Sequence, residues 1–185
     1  EAAISVDDAL AAADKAVLFK TFAKAFFQRR EMIATFMAKW SMDYPGQSGH
    51  VHQSLNAINT AQNLFFEESD PHNMSDTMRF YIGGLQKHMK SFLAMTSPTV
   101  NSYARLVKGA WAPTAATWGV DNRTSALRVI KGGNKSQRVE FRVGSADANP
   151  YLTAAANIAA GLDGVKNKIE PAEPVAGNAY DLQDG

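Results

Sequence analysis

The sequence predicts a mixed fold of helices and short strands in one domain. Apolar residues recur at helical spacing in long runs, whereas shorter runs alternate or are rich in β-forming residues. Clusters of glycine, proline and small polar residues separate these runs. The 185 residues, with 45% hydrophobic and 20% charged side chains, suffice for one globular core.

Helical spacing and capping residues predict three helices. An acidic residue suits the first turn of a helix, a serine can cap it, and proline is tolerated at its first position. The predicted helices are residues 9–30 after Asp7 and Asp8, residues 75–95 capped by Ser75 and ended by Pro98, and residues 151–168 opened by Pro150.

Strands are predicted where β-forming residues are dense or side chains alternate. They are residues 33–37, 50–54, 125–129 and 138–143. The last two are joined by the lysine- and glycine-rich loop 131–137, while residues 56–73 and 101–118 are predicted to be irregular. No internal repeat is evident.

Composition narrows the possible functions. The net charge of +1 gives no reason to expect nucleic acid or an anionic membrane as a partner. With no cysteine, a metal would have to be held by oxygen and imidazole ligands. No apolar stretch or N-terminal pattern indicates a membrane span or secretion signal, so a cytoplasmic location is expected. The opening at Glu1 and the tail from Glu170 onward predict a fragment of a longer protein.

The first chemical signal is the alternation of His50, His52 and Ser54. In a strand these side chains share one face, where two imidazoles and a hydroxyl could serve a metal and a phosphate. The same pattern also fits two surface histidines on an edge strand.

The second signal is a set of arginines, because guanidinium groups suit carboxylates and phosphates. They are Arg105, Arg123, Arg128, Arg138 and Arg142. In a strand, Glu140 would share a face with Arg138 and Arg142. Glu140 could form plain salt bridges with these two arginines. Alternatively, Glu140 could bind a metal while Arg142 binds a substrate carboxylate.

Two loops complete the candidates, and neither is decisive alone. The run 131–135 has the glycines and lysines of a phosphate-binding loop, but it equally suits a solvated hairpin. The aromatic stretch 111–119 could line a pocket or cover a core.

The order of the motifs is more specific than any one motif. The ordered set of motifs resembles the catalytic domain of the glutamine synthetase family over nearly the whole chain, to about Ile169. The motifs are 34–39 (ATFMAK), 49–55 (GHVHQSL), 101–107 (NSYARLV), 122–123 (NR), 138–142 (RVEFR), 149–152 (NPYL) and 159–164 (AAGLDG).

The resemblance implies an α+β fold with a curved, mostly antiparallel sheet and flanking helices. It also implies a catalytic domain over residues 1–170, truncated at both ends, with 171–185 as an irregular tail. Such enzymes use ATP and Mg²⁺ or Mn²⁺ to convert glutamate to γ-glutamyl phosphate, which ammonium or an organic amine then attacks. A homo-oligomer of the full-length protein is implied as well.

The resemblance also assigns roles to single positions. Metal ligands would be Glu1, His50 and Glu140. Nucleotide contacts would be His52, Ser54, Arg128 and Lys135. Substrate contacts would be Gly46, Arg105, Arg142 and Trp111. Arg105 and Arg123 would be catalytic, with Arg123 and Arg128 on the transferring phosphate.

Two departures from the family pattern bear on the acceptor. Trp111 stands before Ala112 and Pro113, where ammonium-using members carry a glutamate that accepts a proton. Tyr44 and Pro45 precede Gly46, where an asparagine is usual. The chain therefore resembles the branch of γ-glutamyl ligases that act on polyamines or other organic amines.

A second class of interpretation is an inactive fragment, or a structural or signalling relative without catalysis. The missing ends would leave the two-metal site half built. The presence of His50, Glu140 and the arginines argues against a non-catalytic relative.

Overall fold

A computed structural model describes residues 2–182. Its α-helices are α1 (Ala9–Gln28), α2 (Asp76–His88), α3 (Leu93–Thr96), α4 (Val100–Arg105) and α5 (Pro150–Asn167), followed by a 3₁₀ turn at Ala179–Asp181. Its strands are β1 (Val51–Gln53), β2 (Trp118–Val120), β3 (Leu127–Ile130) and β4 (Arg138–Phe141). The predicted α+β class is confirmed.

The four strands form one sheet in the order β1-β4-β3-β2. The β1–β4 and β3–β4 pairs are antiparallel, and β2–β3 is parallel, so the sheet is mostly antiparallel. Pairing sets Leu127 opposite Phe141 and Val129 opposite Val139, and all four side chains are buried.

The other face of the sheet is charged, because side chains alternate along a strand. Arg128 and His52 both stand opposite Glu140, on either side of it. One face therefore belongs to the core and the other carries the candidate site.

The core lies between the apolar sheet face and the helix pair α2–α5. Met78, Tyr81, Ile82 and Leu85 of α2 are fully or nearly fully buried against it. The two helices approach so closely that a Cβ added at Gly84 would lie 2.7 Å from the Cα of Gly164. Glycine is thus required there for packing.

Helix α1 packs on α5 but contributes little to the core. Asp8 caps it by accepting a hydrogen bond from the amide of Ala11 at 3.0 Å. Only Ala13 and Ala23 are buried. Its larger apolar side chains, among them Leu18 and Phe22, are exposed.

The first and last predicted helices are confirmed to within two residues. Asn149 caps α5 and Pro150 opens it. The middle helix begins at the Ser75 cap but ends at His88, not at Met95. There the chain turns, and Phe92 packs on Phe141 with ring centroids 5.7 Å apart.

The segment 101–118 was expected to be irregular, and that is wrong at both ends. Helix α4 forms because Thr99 and Ser102 make a reciprocal capping box. Strand β2 begins at Trp118 and gains its ladder only by pairing with β3.

The predicted strand 33–37 is wrong. Within the described residues it pairs with no strand, and Ile33 is 95% exposed. Phe36 instead contacts Phe19 of α1 edge-on, at 5.9 Å between centroids. The other predicted strands correspond to β1, β3 and β4.

The tail after Glu170 is irregular, yet it is bound to the sheet. The amide of Val175 donates to the carbonyl of Trp118 at 2.8 Å, and the indole Nε1 of Trp118 donates to the carbonyl of Ala172. Asn122 donates to the carbonyls of Val175 and Gly177, both at 2.8 Å. No helix in the described part of the chain is long and apolar enough to cross a membrane.

Candidate functional site

The charged sheet face is centred on the carboxylate of Glu140, whose side chain is almost fully buried. Its Oε1 lies 3.0 Å from Nδ1 of His50 and accepts a hydrogen bond from Nη1 of Arg142 at 2.9 Å. Its Oε2 accepts from Nη1 of Arg128 at 3.3 Å. Strand pairing thus gathers one carboxylate, one imidazole and two guanidinium groups.

Opposing effects act on the pKa of Glu140. Burial alone would raise it, because a buried carboxylate loses hydration. The hydrogen bond from His50 and the charge of Arg142 outweigh burial and lower the pKa to about 2. Glu140 is therefore ionised at neutral pH, as a metal ligand must be.

His52 lies on the rim of the cluster. Its Nε2 is 3.8 Å from Oε1 of Glu140, and its Nδ1 accepts a hydrogen bond from Nε of Arg138 at 3.1 Å. Burial lowers the pKa of His52, and the attraction of Glu140 offsets this only in part. The neutral ring can contact a ligand, and exposed Ser54 follows it on the same side of the chain.

The donors fit a divalent metal only in part. Among residues 2–182, the buried Nε2 of His50 has no hydrogen-bond partner, and Glu140 supplies carboxylate oxygens. Within residues 2–182, no group of three or more His, Cys, Asp or Glu side chains is arranged to hold a metal ion. The third predicted ligand, Glu1, lies outside the described residues. The metal roles of all three stay predictions.

The predicted substrate residues Gly46 and Arg105 are in contact. Arg105 is 2% exposed, and its Nη2 donates to the carbonyls of Val143 and Gly144. A Cβ added at Gly46 would lie 2.6 Å from Cγ of Arg105. Only glycine allows the 45–47 turn to lie so close to this side chain.

Arg105 occupies a costly environment for a cation. Burial lowers its pKa to about 10, the like charge of Arg142 acts in the same direction, and Asp147 acts against both. Its Nε is buried without a partner. A substrate carboxylate would stabilise the Arg105 cation. The role of Arg105 as a substrate contact stays a prediction.

Unpartnered donors are concentrated at the predicted site. Within the described residues, eight buried side-chain nitrogen or oxygen atoms have no hydrogen-bond partner. Four of these belong to predicted site residues: His50 Nε2, Arg105 Nε, Arg128 Nε and Arg142 Nε. Because such atoms are rare in native cores, they indicate a ligand-binding surface.

Three predicted residues lie in loops and do not belong to the cluster of contacts. Arg123 is exposed in the turn between β2 and β3, and Lys135 is exposed in the β3–β4 loop. Trp111 is 66% exposed and has φ of 57°, a left-handed conformation that is strained for a bulky residue.

Sequence reasoning missed two acidic side chains. Asp121 pairs with Nη2 of Arg128 at 3.0 Å. Asp147 accepts hydrogen bonds from three hydroxyl side chains near Arg105. The spacing of Asp121 and Arg128 across the β2–β3 turn could have suggested their contact, whereas no local pattern indicates the role of Asp147.

A buried carboxylate surrounded by imidazole and guanidinium groups defines a class of domain suited to binding anionic ligands. The family model described as "Glutamine synthetase, catalytic domain" matches residues 1–185. The chain belongs to the glutamine synthetase family.

Individual relatives agree with this assignment. The chain is 52% identical to "Type-1 glutamine synthetase 2" of Dictyostelium discoideum, covering 98% of this chain and 35% of that protein. It is 40% identical to "Glutamate--isopropylamine ligase" of Pseudomonas sp, covering 96% of this chain and 38% of the relative.

A solved structure also matches the fold. The structure named "GmaS/ADP complex-Conformation 1" superposes with a TM-score of 0.86 at 37% identity, covering 94% of this chain and 40% of that one. The chain thus spans well under half the length of these relatives.

Proposed function

We propose that the longer protein containing this chain is an ATP-dependent ligase that joins glutamate to an amine through γ-glutamyl phosphate. The observation that carries the proposal is the Glu140 cluster. It offers an ionised carboxylate, two imidazoles and buried guanidinium groups on one sheet face, within a chain of this family. One relative is named as a glutamine synthetase and another as a glutamate–isopropylamine ligase, and both names, with that of the ADP complex, support the same reaction class.

His50 and Glu140, with Glu1, would hold a divalent ion, which when bound neutralises charge on the transferring phosphoryl group. Arg128 and Arg123 would contact the phosphate oxygens as the γ-phosphoryl group moves to the side-chain carboxylate of glutamate. Arg105 and Arg142 would bind the carboxylates of glutamate, beside the turn at Gly46. His52, Ser54 and Lys135 would contact the nucleotide.

In the first step the glutamate oxygen forms a bond to the γ-phosphorus while the bond to ADP breaks. In the second step the amine nitrogen attacks the γ-carbonyl carbon and phosphate leaves. The attacking nitrogen loses a proton, which the leaving phosphate can take up, so that the products are the amide and hydrogen phosphate.

We further propose that the acceptor is an organic amine. Trp111 cannot accept a proton, and it does not attract a small cation as a carboxylate does. Its exposed aromatic ring suits the carbon chain of an amine. The relative named as a glutamate–isopropylamine ligase supports this acceptor class.

The proposal is tested by phosphate release from ATP by the full-length protein with glutamate and Mg²⁺. The acceptors are ammonium, putrescine, spermidine, ethanolamine and small alkylamines. We expect release that depends on glutamate and is fastest with an organic amine. Equal turnover with ammonium and much poorer turnover with the amines would contradict the proposed acceptor.

Two variants test which residues support phosphate release and which select the acceptor. Glu140→Gln should reduce release at least about 100-fold, because the site loses the charge that positions both the metal and the guanidinium groups. Trp111→Glu should raise the ammonium-to-amine ratio of kcat/KM at least about tenfold, since it adds the missing base. No release by the full-length protein with any acceptor would favour the non-catalytic relative.

The residues of this chain alone should be inactive. Within residues 2–182 only part of a metal site is present, and ligands that are not held in place bind weakly. Activity that appears only in the full-length protein supports this proposal. The cytoplasmic location, the homo-oligomer and the domain boundary at residue 170 likewise stay predictions.

A further inference from the structure

The carboxylate of Asp147, in the β4–α5 loop, accepts hydrogen bonds from three side chains on two segments. Thr99 donates to Oδ2 at 2.9 Å, and Ser102 donates to Oδ2 at 3.0 Å and to Oδ1 at 3.2 Å. Ser145 donates to Oδ1 at 2.5 Å. Thr99 and Ser102 are the two partners of the capping box that begins α4.

Helix α4 has only 6 residues, so its own hydrogen bonds cannot fix its position. Its placement must come from contacts with neighbouring segments. Asn101 exchanges hydrogen bonds with the backbone of Lys39, at 2.8 and 2.6 Å. Asp147 holds the first turn, and Arg105 lies at the last residue of the helix.

Asp147 is also linked to Arg105 indirectly, through the backbone of its own loop. The guanidinium of Arg105 donates to the carbonyls of Val143 and Gly144. These two residues precede Ser145 and Asp147 in the same loop. A single carboxylate therefore joins the start of the helix to the loop that receives the arginine at its end.

The position of the Arg105 guanidinium is sensitive to small shifts of α4. Nε of Arg105 has no partner within the described part of the chain, and the turn at Gly46 lies against the aliphatic part of the Arg105 side chain. A shift of the short helix by a fraction of an ångström would move the guanidinium against that turn. Misplacements of about 1 Å at a binding group can cost about 100-fold in rate.

We propose that Asp147 is a positioning residue for glutamate binding: by fixing α4 to the β4–α5 loop it sets the location of the Arg105 guanidinium beside the Gly46 turn. The inference rests on the proposed function, because it takes Arg105 as a contact of the glutamate carboxylate. Asp147 itself touches neither substrate nor nucleotide in this account.

The test compares three variants of the full-length protein in the phosphate-release assay. Asp147→Ala removes all the acceptor oxygens. Asp147→Asn keeps the shape and one acceptor oxygen, and its amide can donate to the hydroxyls, which both donate and accept. Asp70→Ala is the matched control, since Asp70 is a half-buried aspartate that accepts from the amides of His72 and Met74, far from α4 in sequence.

We expect Asp147→Ala to raise the KM for glutamate at least about tenfold while the KM for ATP changes less than about twofold. Asp147→Asn should recover most of the loss. Asp70→Ala should leave both constants within about twofold. A parallel rise of both KM values, or a loss of thermal stability with both KM values unchanged, would overturn the proposal.

Hydrogen exchange by mass spectrometry provides a readout that needs no activity. In Asp147→Ala, amides of residues 99–106 should exchange at least about tenfold faster, with residues 76–88 unchanged. Unchanged exchange at 99–106 would overturn the positioning role. If the wild-type protein releases no phosphate with glutamate, the proposed function fails, and the exchange result alone decides whether Asp147 fixes α4.

Discussion

The two faces of the sheet are built on opposite principles. On the core face, Leu127, Val129, Val139 and Phe141 pack against α2 and α5 with almost no exposure. On the charged face, Glu140 contacts two arginines and His50, and several buried donors have no partner among residues 2–182. Both faces arise from the same strands, one residue apart.

The two faces contribute differently to the stability and the activity of the domain. The core face is apolar and closely packed, so its contribution to stability depends on how well the side chains fit together. On the charged face, several buried donors lack a partner among the described residues, so its energetics depend on charge and hydrogen bonding. Substitutions should therefore cost most stability on the core face, whereas on the charged face they should cost activity and, at Glu140, a smaller part of the stability. Four changes test this division, from the largest expected effect on stability to the smallest.

The largest effect is expected at the α2–α5 contact. Gly84→Val would force a side chain onto the Cα of Gly164, 2.7 Å from the added Cβ, and onto the backbone of Ala160. We expect a loss of at least about 4 kcal/mol, or failure to fold, because backbone atoms cannot move aside as side chains do. Urea unfolding of the full-length protein measures the loss.

The control for this change is Gly133→Ala, where an added Cβ meets nothing within 4 Å. It should shift stability by less than about 0.5 kcal/mol. Similar losses at both positions would show that the close helix contact is not what requires glycine.

The second effect concerns Glu140 and pH. The folded-state pKa of about 2 lies below the ordinary 4.5, so the carboxylate contributes stability that is complete above about pH 4.5 and is lost as pH falls toward 2. Glu140→Gln should lose about 2–3 kcal/mol at pH 7, because the arginines lose their counter-charge. It should also flatten the dependence of unfolding free energy on pH below 4.5.

Glu68→Gln is the control, since Glu68 is an exposed carboxylate. It should keep the wild-type slope. A Glu140→Gln protein with the wild-type slope between pH 2 and 4.5 would contradict the role given to this charge.

The third effect is a gain of stability at the predicted acceptor loop. Trp111 has φ of 57°, which glycine adopts without strain. Trp111→Gly should raise the free energy of unfolding by about 0.5–1 kcal/mol while lowering turnover with organic amines. Ala110→Gly, next to it and without a positive φ, should instead lower stability by a similar amount. Lower stability in both variants would argue against strain at Trp111.

The smallest effect on stability is expected at Lys135. Its side chain is exposed, so Lys135→Ala should change stability by less than about 0.5 kcal/mol. If it contacts the nucleotide as predicted, the KM for ATP should rise at least about fivefold. Lys131→Ala, in the same loop, removes a hydrogen bond of 2.9 Å to the carbonyl of Pro71 and should leave the KM for ATP unchanged.

The sequence predicted elements well where local signals define them. Pro150 indicated the start of helix α5, and the structure adds a cap at Asn149 and a left-handed residue, Lys168, after its end. The start of α2 at Ser75 was equally clear. The strand at 33–37 was wrong because β-forming residues make a strand only with a partner, and Phe36 packs on α1 instead.

Elements that depend on distant partners could not be predicted. Trp118–Val120 is a strand only because β3 lies parallel to it. Among the site residues, the alternation of His50 and His52 and that of Glu140 and Arg142 correctly indicated shared surfaces. Their convergence on one carboxylate requires the β1–β4 and β3–β4 register, which no local pattern contains. The contacts of Asp147 likewise involve Thr99 and Ser102, which precede it by 48 and 45 residues in the sequence.

The tail along β2 has a consequence for how the protein can be handled. Strand β2 is one of the two outer strands of the described sheet, and Val175 occupies a backbone hydrogen-bonding position beside it. An outer strand stripped of such cover offers its peptide groups to another chain, which is a common route to aggregation. Cleavage after residue 170 would remove this cover, so a protease that cuts there should yield insoluble material even though α1 to α5 and β1 to β4 remain intact.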